Sequence, residues 1–132
     1  MATFVVDVGL AIVSDALVGG ALAAEPKNIG WGTGAGTAAA TDTTLFTEAL
    51  VTLAAGTTDH TVGSSSQVTT TTTNDTYQVT GTRAATGTGT VTNAGLWDAA
   101  SGGVLFLKGD FTGIGLVSGD SIAFTFKAIF AN

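Results

Sequence analysis

The first apolar block of the chain runs from Phe4 to Val18 and is broken only by Asp7, Ser14 and Asp15 among its larger side chains. On a helical wheel Val5, Val6, Leu10, Ile12, Val13, Ala16 and Leu17 share one broad face. Asp7 and Ser14 lie opposite and Asp15 sits at the margin. This pattern predicts an amphipathic helix over Phe4 to Val18, stopped by Gly19-Gly20. Its apolar positions, with Phe4, Val6, Leu10, Val13 and Leu17 as candidate contact residues, must pack on the domain's own sheet or on a neighbouring subunit.

Beyond Pro26 the period changes. Lys27 to Ala40 (KNIGWGTGAGTAAA) is so rich in Gly and Ala that it reads as a loop anchored by Trp31. Thr43 to Leu53 has apolar residues at mixed spacing and reads as extended, although a short helix fits nearly as well; Glu48 is expected in solvent either way. Gly56 to Ser66, with Asp59, His60 and three serines, reads as a polar loop. Gln67 to Thr73 and Thr76 to Arg83 then flank Asn74-Asp75. Thr and Val favour extended backbone and Asn-Asp tolerates a tight turn, so a hairpin is predicted. Its second arm places Tyr77, Val79 and Gly81 on one face.

A second pair of strands follows, Gly89 to Ala99 and Gly103 to Phe111. The latter carries apolar residues in both phases, as a strand covered on both faces does. Ile114 to Gly119 reads as a loop. In Asp120 to Phe130 the residues Ile122, Phe124, Phe126 and Phe130 stand in phase and predict a core strand. Short strands joined by Gly or Asn/Asp turns predict an all-β, antiparallel sandwich or jelly-roll-like domain over residues 26–132, preceded by an apolar helix or arm over residues 1–25. At 132 residues the two parts form one domain.

Composition narrows the function. Four basic residues, Lys27, Arg83, Lys108 and Lys127, stand against ten acidic ones. With a net charge of -6 the chain has almost nothing from which to build a phosphate-tracking groove, and nucleic-acid binding is excluded. The absence of Cys removes disulfides, thiolate chemistry and Cys-based metal sites. Ala21-Leu22-Ala23 imitates a signal cleavage site, but no basic residue precedes Lys27 and Asp7 and Asp15 interrupt the apolar run. Neither a secretory leader nor a membrane span is therefore expected.

Candidate chemistry is sparse. Gly30, Gly32, Gly34 and Gly36 imitate a phosphate loop without the strand-helix context or GK[ST] ending that such loops need. Asp59-His60 and Ser64 to Ser66 are neighbours in sequence with no third group to orient them. Asp42, Glu48, Asp75, Asp98, Asp110 and Asp120 are scattered rather than spaced as calcium ligands. No catalytic, cofactor or metal residues are therefore assigned, and no enzyme activity is expected. Trp31, Tyr77 and Trp97 remain as aromatic candidates for a contact or sugar-stacking surface, with burial of Trp97 as the alternative. The run Thr69 to Thr73 imitates one strand of an ice-binding face, which needs several.

Four segments carry a family signature: PKNIGWGTG (Pro26 to Gly34), TTTTTNDTYQVTGT (Thr69 to Thr82), NAGLWDAASGG (Asn93 to Gly103) and LKGDFTGIGLVSGDSIAFTFK (Leu107 to Lys127). In these the chain resembles small virion structural proteins of tailed bacteriophages, over nearly its whole length and least between Ala40 and Gly63. The resemblance implies a noncatalytic capsid cement or decoration protein. It would be a homotrimer on the outer surface of the head, bound between major capsid subunits, with no cofactor and no membrane. A tail-fibre module binding a host receptor or glycan is the alternative it implies.

Overall fold

A computed structural model describes residues 2–19, 24–49, 53 and 59–130. The order of elements is β1 (Thr3–Val5), α1 (Asp7–Val18), β2 (Asn28–Gly32), β3 (Glu48–Ala49), β4 (Thr61–Val62), β5 (Ser64–Val68), β6 (Thr76–Ala84), β7 (Gly89–Trp97), β8 (Leu105–Leu116) and β9 (Ser121–Ile129). The larger sheet runs β1-β8-β7-β2-β3, with β4 also pairing β2, and the smaller runs β5-β6-β9. Every pairing is antiparallel. The protein is an all-β sandwich with one short N-terminal helix. Gly20, the Ala21-Leu22-Ala23 tripeptide and residues 50–52 and 54–58, on which parts of the expected helix stop, extended segment and loop fall, lie outside the described residues.

The sheets close on a core of Ile29 and Trp31 from β2, Val91, Ala94 and Leu96 from β7, Phe106 and Leu107 from β8, Val79 from β6, and Phe126 and Ala128 from β9. Trp31 meets Phe124 edge to face at 6.5 Å, and Tyr77 meets Phe106 in the same way at 6.1 Å. Thus Lys27 to Ala40 is not wholly a loop: Asn28–Gly32 is a central strand, paired with β7 through Ile29↔Leu96 and Trp31↔Ala94. Large side chains and glycines alternate here, so Ile29 and Trp31 fill the core while Gly30 and Gly32 leave the opposite face bare. A Cβ at position 32 would collide with the Phe46 carbonyl oxygen. The segment 33–47 lies directly over Gly32, and the side chains of His60, Trp97 and Glu48 lie over Gly30.

That segment is fastened by the sheet's own polar side chains. Asn93 accepts from the Phe46 N–H at 3.0 Å and donates to its carbonyl at 3.1 Å. Lys108 donates to the Thr44 carbonyl at 2.8 Å, pairs with Asp42 at 2.9 Å and lies 3.2 Å from the centre of the Phe46 ring. Asp110 accepts from the N–H groups of Ala38 at 2.9 Å and Ala2 at 3.1 Å. Both faces of β8 are covered, as its apolar residues in both phases predict, and Leu105, Phe106, Leu107 and Lys108 are all buried. The strand runs on to Leu116, so Ile114 to Leu116 is strand rather than loop.

The N-terminal part packs within its own chain. Phe4 belongs not to a helix but to β1, opposite Lys108 of β8, and the helix begins only at Asp7. It ends where predicted, at Gly19 with φ of 79°. Its buried residues are Gly9 and Ile12. Gly9 sits so close to β8 that an added Cβ would lie 2.6 Å from the Phe106 carbonyl oxygen. The buried stripe thus runs through Gly9, Ile12 and Val13, rotated away from Leu10 and Leu17, because backbone proximity at a glycine set the docking face rather than the largest apolar residues.

The hairpin of β5 and β6 forms in the register Val68↔Thr76, with a longer connection than a two-residue turn. Residues 69–75 form it because Asp75 accepts the N–H groups of Thr70, Thr71 and Thr72 at 2.8, 2.9 and 2.8 Å. In β9 the inward set is Ile122, Phe124, Phe126 and Ala128; Phe130 lies beyond the strand and is exposed. Truncating Trp31 to Ala empties the centre of the core, and a loss of about 3–5 kcal/mol is expected in urea unfolding. Leu17→Ala, at a site 84% exposed, should change stability by less than about 0.5 kcal/mol.

Candidate functional site

The densest polar cluster lies where β2, β3 and β4 meet the end of β6. Arg83, next in phase after Tyr77, Val79 and Gly81, points inward and is buried. One guanidinium nitrogen donates to the Ile29 carbonyl at 3.1 Å and the Thr61 hydroxyl at 2.9 Å. The other donates to the carbonyls of Ala49 at 3.1 Å and Asp59 at 2.7 Å. Its carbon centre lies 5.1 Å from the centre of the Trp31 ring. Burial lowers its pKa to about 10, while the charges of Glu48 and Asp59 act in the opposite direction.

His60 is buried beside it rather than displayed on a loop. Its Nδ1 is 2.7 Å from the Ala99 carbonyl, its Nε2 is 2.6 Å from Glu48 Oε1, and its ring stacks on Trp97 at 4.9 Å and 12°. A carbonyl only accepts, so Nδ1 carries hydrogen, and the contact at Nε2 needs one further proton between imidazole and carboxylate. Glu48 is accordingly not in solvent: it is half-buried and serves as the partner of His60. Both ring nitrogens are engaged, which leaves no free lone pair to act as a general base on a substrate. Asp59 is exposed and bridges Ser101, while Ser64 to Ser66 lie in β5. The three groups that a nucleophilic site requires are not assembled here.

The seven candidate contact residues separate into two groups. Val6 and Trp97 come together with Leu45 and Leu105 in a second buried cluster under the segment 33–47, and Trp31 is wholly inside the sandwich. Trp31 and Trp97 offer no face for stacking on a sugar. Val13 is half-buried against the core. Phe4, Leu10 and Leu17 are exposed, at 39%, 52% and 84%, and Val8 and Val18 join them. Leu10 and Leu17, two helical turns apart, form an apolar ridge along one flank of α1. Behind it a groove of about 380 Å³ runs between the helix and the smaller sheet, lined by Ile12, Val13, Ala16, Tyr77, Phe106 and Phe130 among others.

Sequence reasoning missed Arg83, Glu48, Lys108 and Asn93. The phase of β6 held the one usable signal, since Arg83 continues the inward set Tyr77, Val79 and Gly81. Glu48 and His60 meet only through the fold. Among the described residues no three His, Asp or Glu side chains converge as metal ligands, and no helix is long and apolar enough to cross a membrane. No family model, no curated protein and no solved structure matches the chain.

Several carboxylates are held below their ordinary range by hydrogen bonds: Asp75 by the Thr72 and Thr70 N–H groups, Asp110 by that of Ala38, and Asp42 chiefly by Lys108. Their ionised forms favour the folded state above the unfolded carboxylate pKa of about 4, and the advantage disappears as pH falls through the lower folded values. Melting temperature should therefore fall steeply only in the acid limb, in thermal scans from neutral pH downward. At the His60 clamp, Glu48→Ala leaves a buried ring nitrogen without its partner, at an expected cost of about 1–3 kcal/mol. Glu48→Gln, whose amide donates to a neutral Nε2, should retain most of that stability in the same urea titration.

Proposed function

We propose that this chain is a noncatalytic structural protein of a bacteriophage virion, a decoration protein that binds between major capsid subunits on the outside of the head. The observation that carries the reading is the exposed Leu10 and Leu17 ridge on a helix docked to β8 through Gly9. Rigid apolar ridges suit protein contacts, and so does a surface short of charge. The family resemblance of the four segments supplies the setting, and repetition around a symmetric shell lets a small contact hold through effective concentration. The acidic net charge keeps the free protein soluble and away from packaged DNA.

Purified particles are expected to carry this chain at a copy number comparable to that of the major capsid protein, measured by quantitative gel densitometry or mass spectrometry. Heads lacking it should release DNA sooner on heating. The double variant Leu10→Ser with Leu17→Ser should keep its melting temperature and lose binding to such heads. A handful of copies per particle would overturn the reading.

A further inference from the structure

We infer that the free edge of β9 is a self-association surface, through which two copies of this chain pair β9 against β9 across a two-fold axis. This does not rest on the capsid reading. The other ends of the sheets are blunted in the manner of natural edge strands: β1, β3 and β4 span only Thr3–Val5, Glu48–Ala49 and Thr61–Val62, β5 is polar, SSSQV, and the stretch of β8 that β1 leaves uncovered, Phe111 to Leu116, is broken by Gly113 and Gly115 and lies beside a register shift at Val91 and Asn93. By contrast β9 runs unbroken from Ser121 to Ile129, pairs among the described residues only with β6, and has no proline, no register shift and a single charge, Lys127.

The geometry of the β6 ladder says which groups are free. Phe130 N–H donates to Asp75 and Ala85 N–H donates to Asp120, both in the same continuous register as Val79↔Phe126. Even-numbered residues of β9 therefore turn their backbone groups toward β6. Those of Ser121, Ala123, Thr125, Lys127 and Ile129 face outward, unpaired among the described residues. Beside this edge a slot of about 200 Å³ opens between the sheets, lined on one side by Ala94, Leu107 and Phe111 and on the other by Phe124 and Phe126. Phe124 is only half-buried there.

A second β9 satisfies both features. Centred on Thr125, antiparallel pairing sets Ser121 against Ile129 and Ala123 against Lys127, each pair exchanging its outward N–H and C=O groups. On the inner face the same register sets Phe124 against Phe126 of the second copy, a favourable aromatic cross-strand pair that extends the core past the slot. Charge agrees with this: the chain carries -6 overall, yet Ser121 to Phe130 contains no carboxylate, and in this register Lys127 faces Ala123 rather than its own copy. Such a contact is isologous and closes as a dimer, not as the trimer that the family resemblance implies.

Light scattering after size-exclusion chromatography of the full chain, over a concentration series, should give twice the 13.0 kDa chain mass. Thr125→Pro removes an outward N–H and leaves the β6 ladder intact, so it should give monomer with an unchanged β-sheet circular dichroism spectrum. Ala123→Lys places like charges opposite each other twice by symmetry and should weaken the dimer roughly tenfold. Ala123→Glu, opposite Lys127, should hold or tighten it. A monomer at every concentration, a trimer, or a dimer indifferent to these three variants would overturn the proposal. Failure here would leave the copy number on particles unaffected.

Discussion

The two sheets are joined by more than apolar contact, because one guanidinium at their shared end holds β2, β3 and the approach to β4 together. Arg83 reaches from the smaller sheet to carbonyls of Ile29, Ala49 and Asp59 and to Thr61 in the larger. Strands as short as Glu48–Ala49 and Thr61–Val62 have few ladder bonds of their own. A buried charge carries a large desolvation cost, and its pKa is pulled down accordingly, so the arrangement holds only because four acceptors and the Trp31 face surround it. The His60 clamp lies at the same end of the sandwich, where Glu48 is held by the pairing of β3 with β2 and by the bond from Arg83 to the neighbouring Ala49 carbonyl.

A second consequence concerns the surface. Two of the four basic residues, Arg83 and Lys108, are wholly buried. The cations left outside are Lys27, which pairs with Glu25 at 3.2 Å, and Lys127 on the β9 edge. Carboxylates are withdrawn as well, since Asp75 is buried and Glu48 and Asp42 are partnered by His60 and Lys108, so the exterior keeps an acidic balance with few cations on it. Lys127 is then the sole charge on the β9 edge, which allows a second copy to approach where most of the surface repels one.

Strands with side chains in clear alternation were legible from sequence: β6, β7, the first part of β8 and β9 lie where the pattern puts them, whereas β5 occupies Ser64–Val68, ahead of the expected Gln67 to Thr73 arm, because the threonines turn around Asp75. The central strand β2 was not. Its outer face must be bare for the segment 33–47 to lie over Gly32 and the His60 and Trp97 side chains over Gly30, and glycines chosen for a tertiary contact look like loop residues locally. The alternation of Ile29, Gly30, Trp31 and Gly32 was the hint. At the N-terminus the largest apolar residues misplaced the buried face of α1, because contact with β8 is made through Gly9 and the helix rotates to suit. Glu48 and His60 are joined only by pairing of β3 and β4 to β2, and neither spacing nor residue type announces that.

These failures share a cause that also bears on function. Small residues here act as sites of close approach: Gly9 against β8, Gly32 under the segment 33–47 and Gly30 under the side chains of His60 and Trp97. Where small residues let backbone meet backbone, large side chains are released from the interior, and Leu10 and Leu17 are left outside because Gly9 took the docking position. A composition of Gly, Ala and Thr thus yields a rigid sandwich with few charges and two kinds of unsatisfied surface, an apolar ridge on the helix and an open backbone edge on β9. The ridge offers shape and apolar area to a different protein, while the edge offers a hydrogen-bond ladder that an identical strand completes. Because one is a side-chain surface and the other a backbone one, a partner can occupy the first without competing for the chemistry of the second.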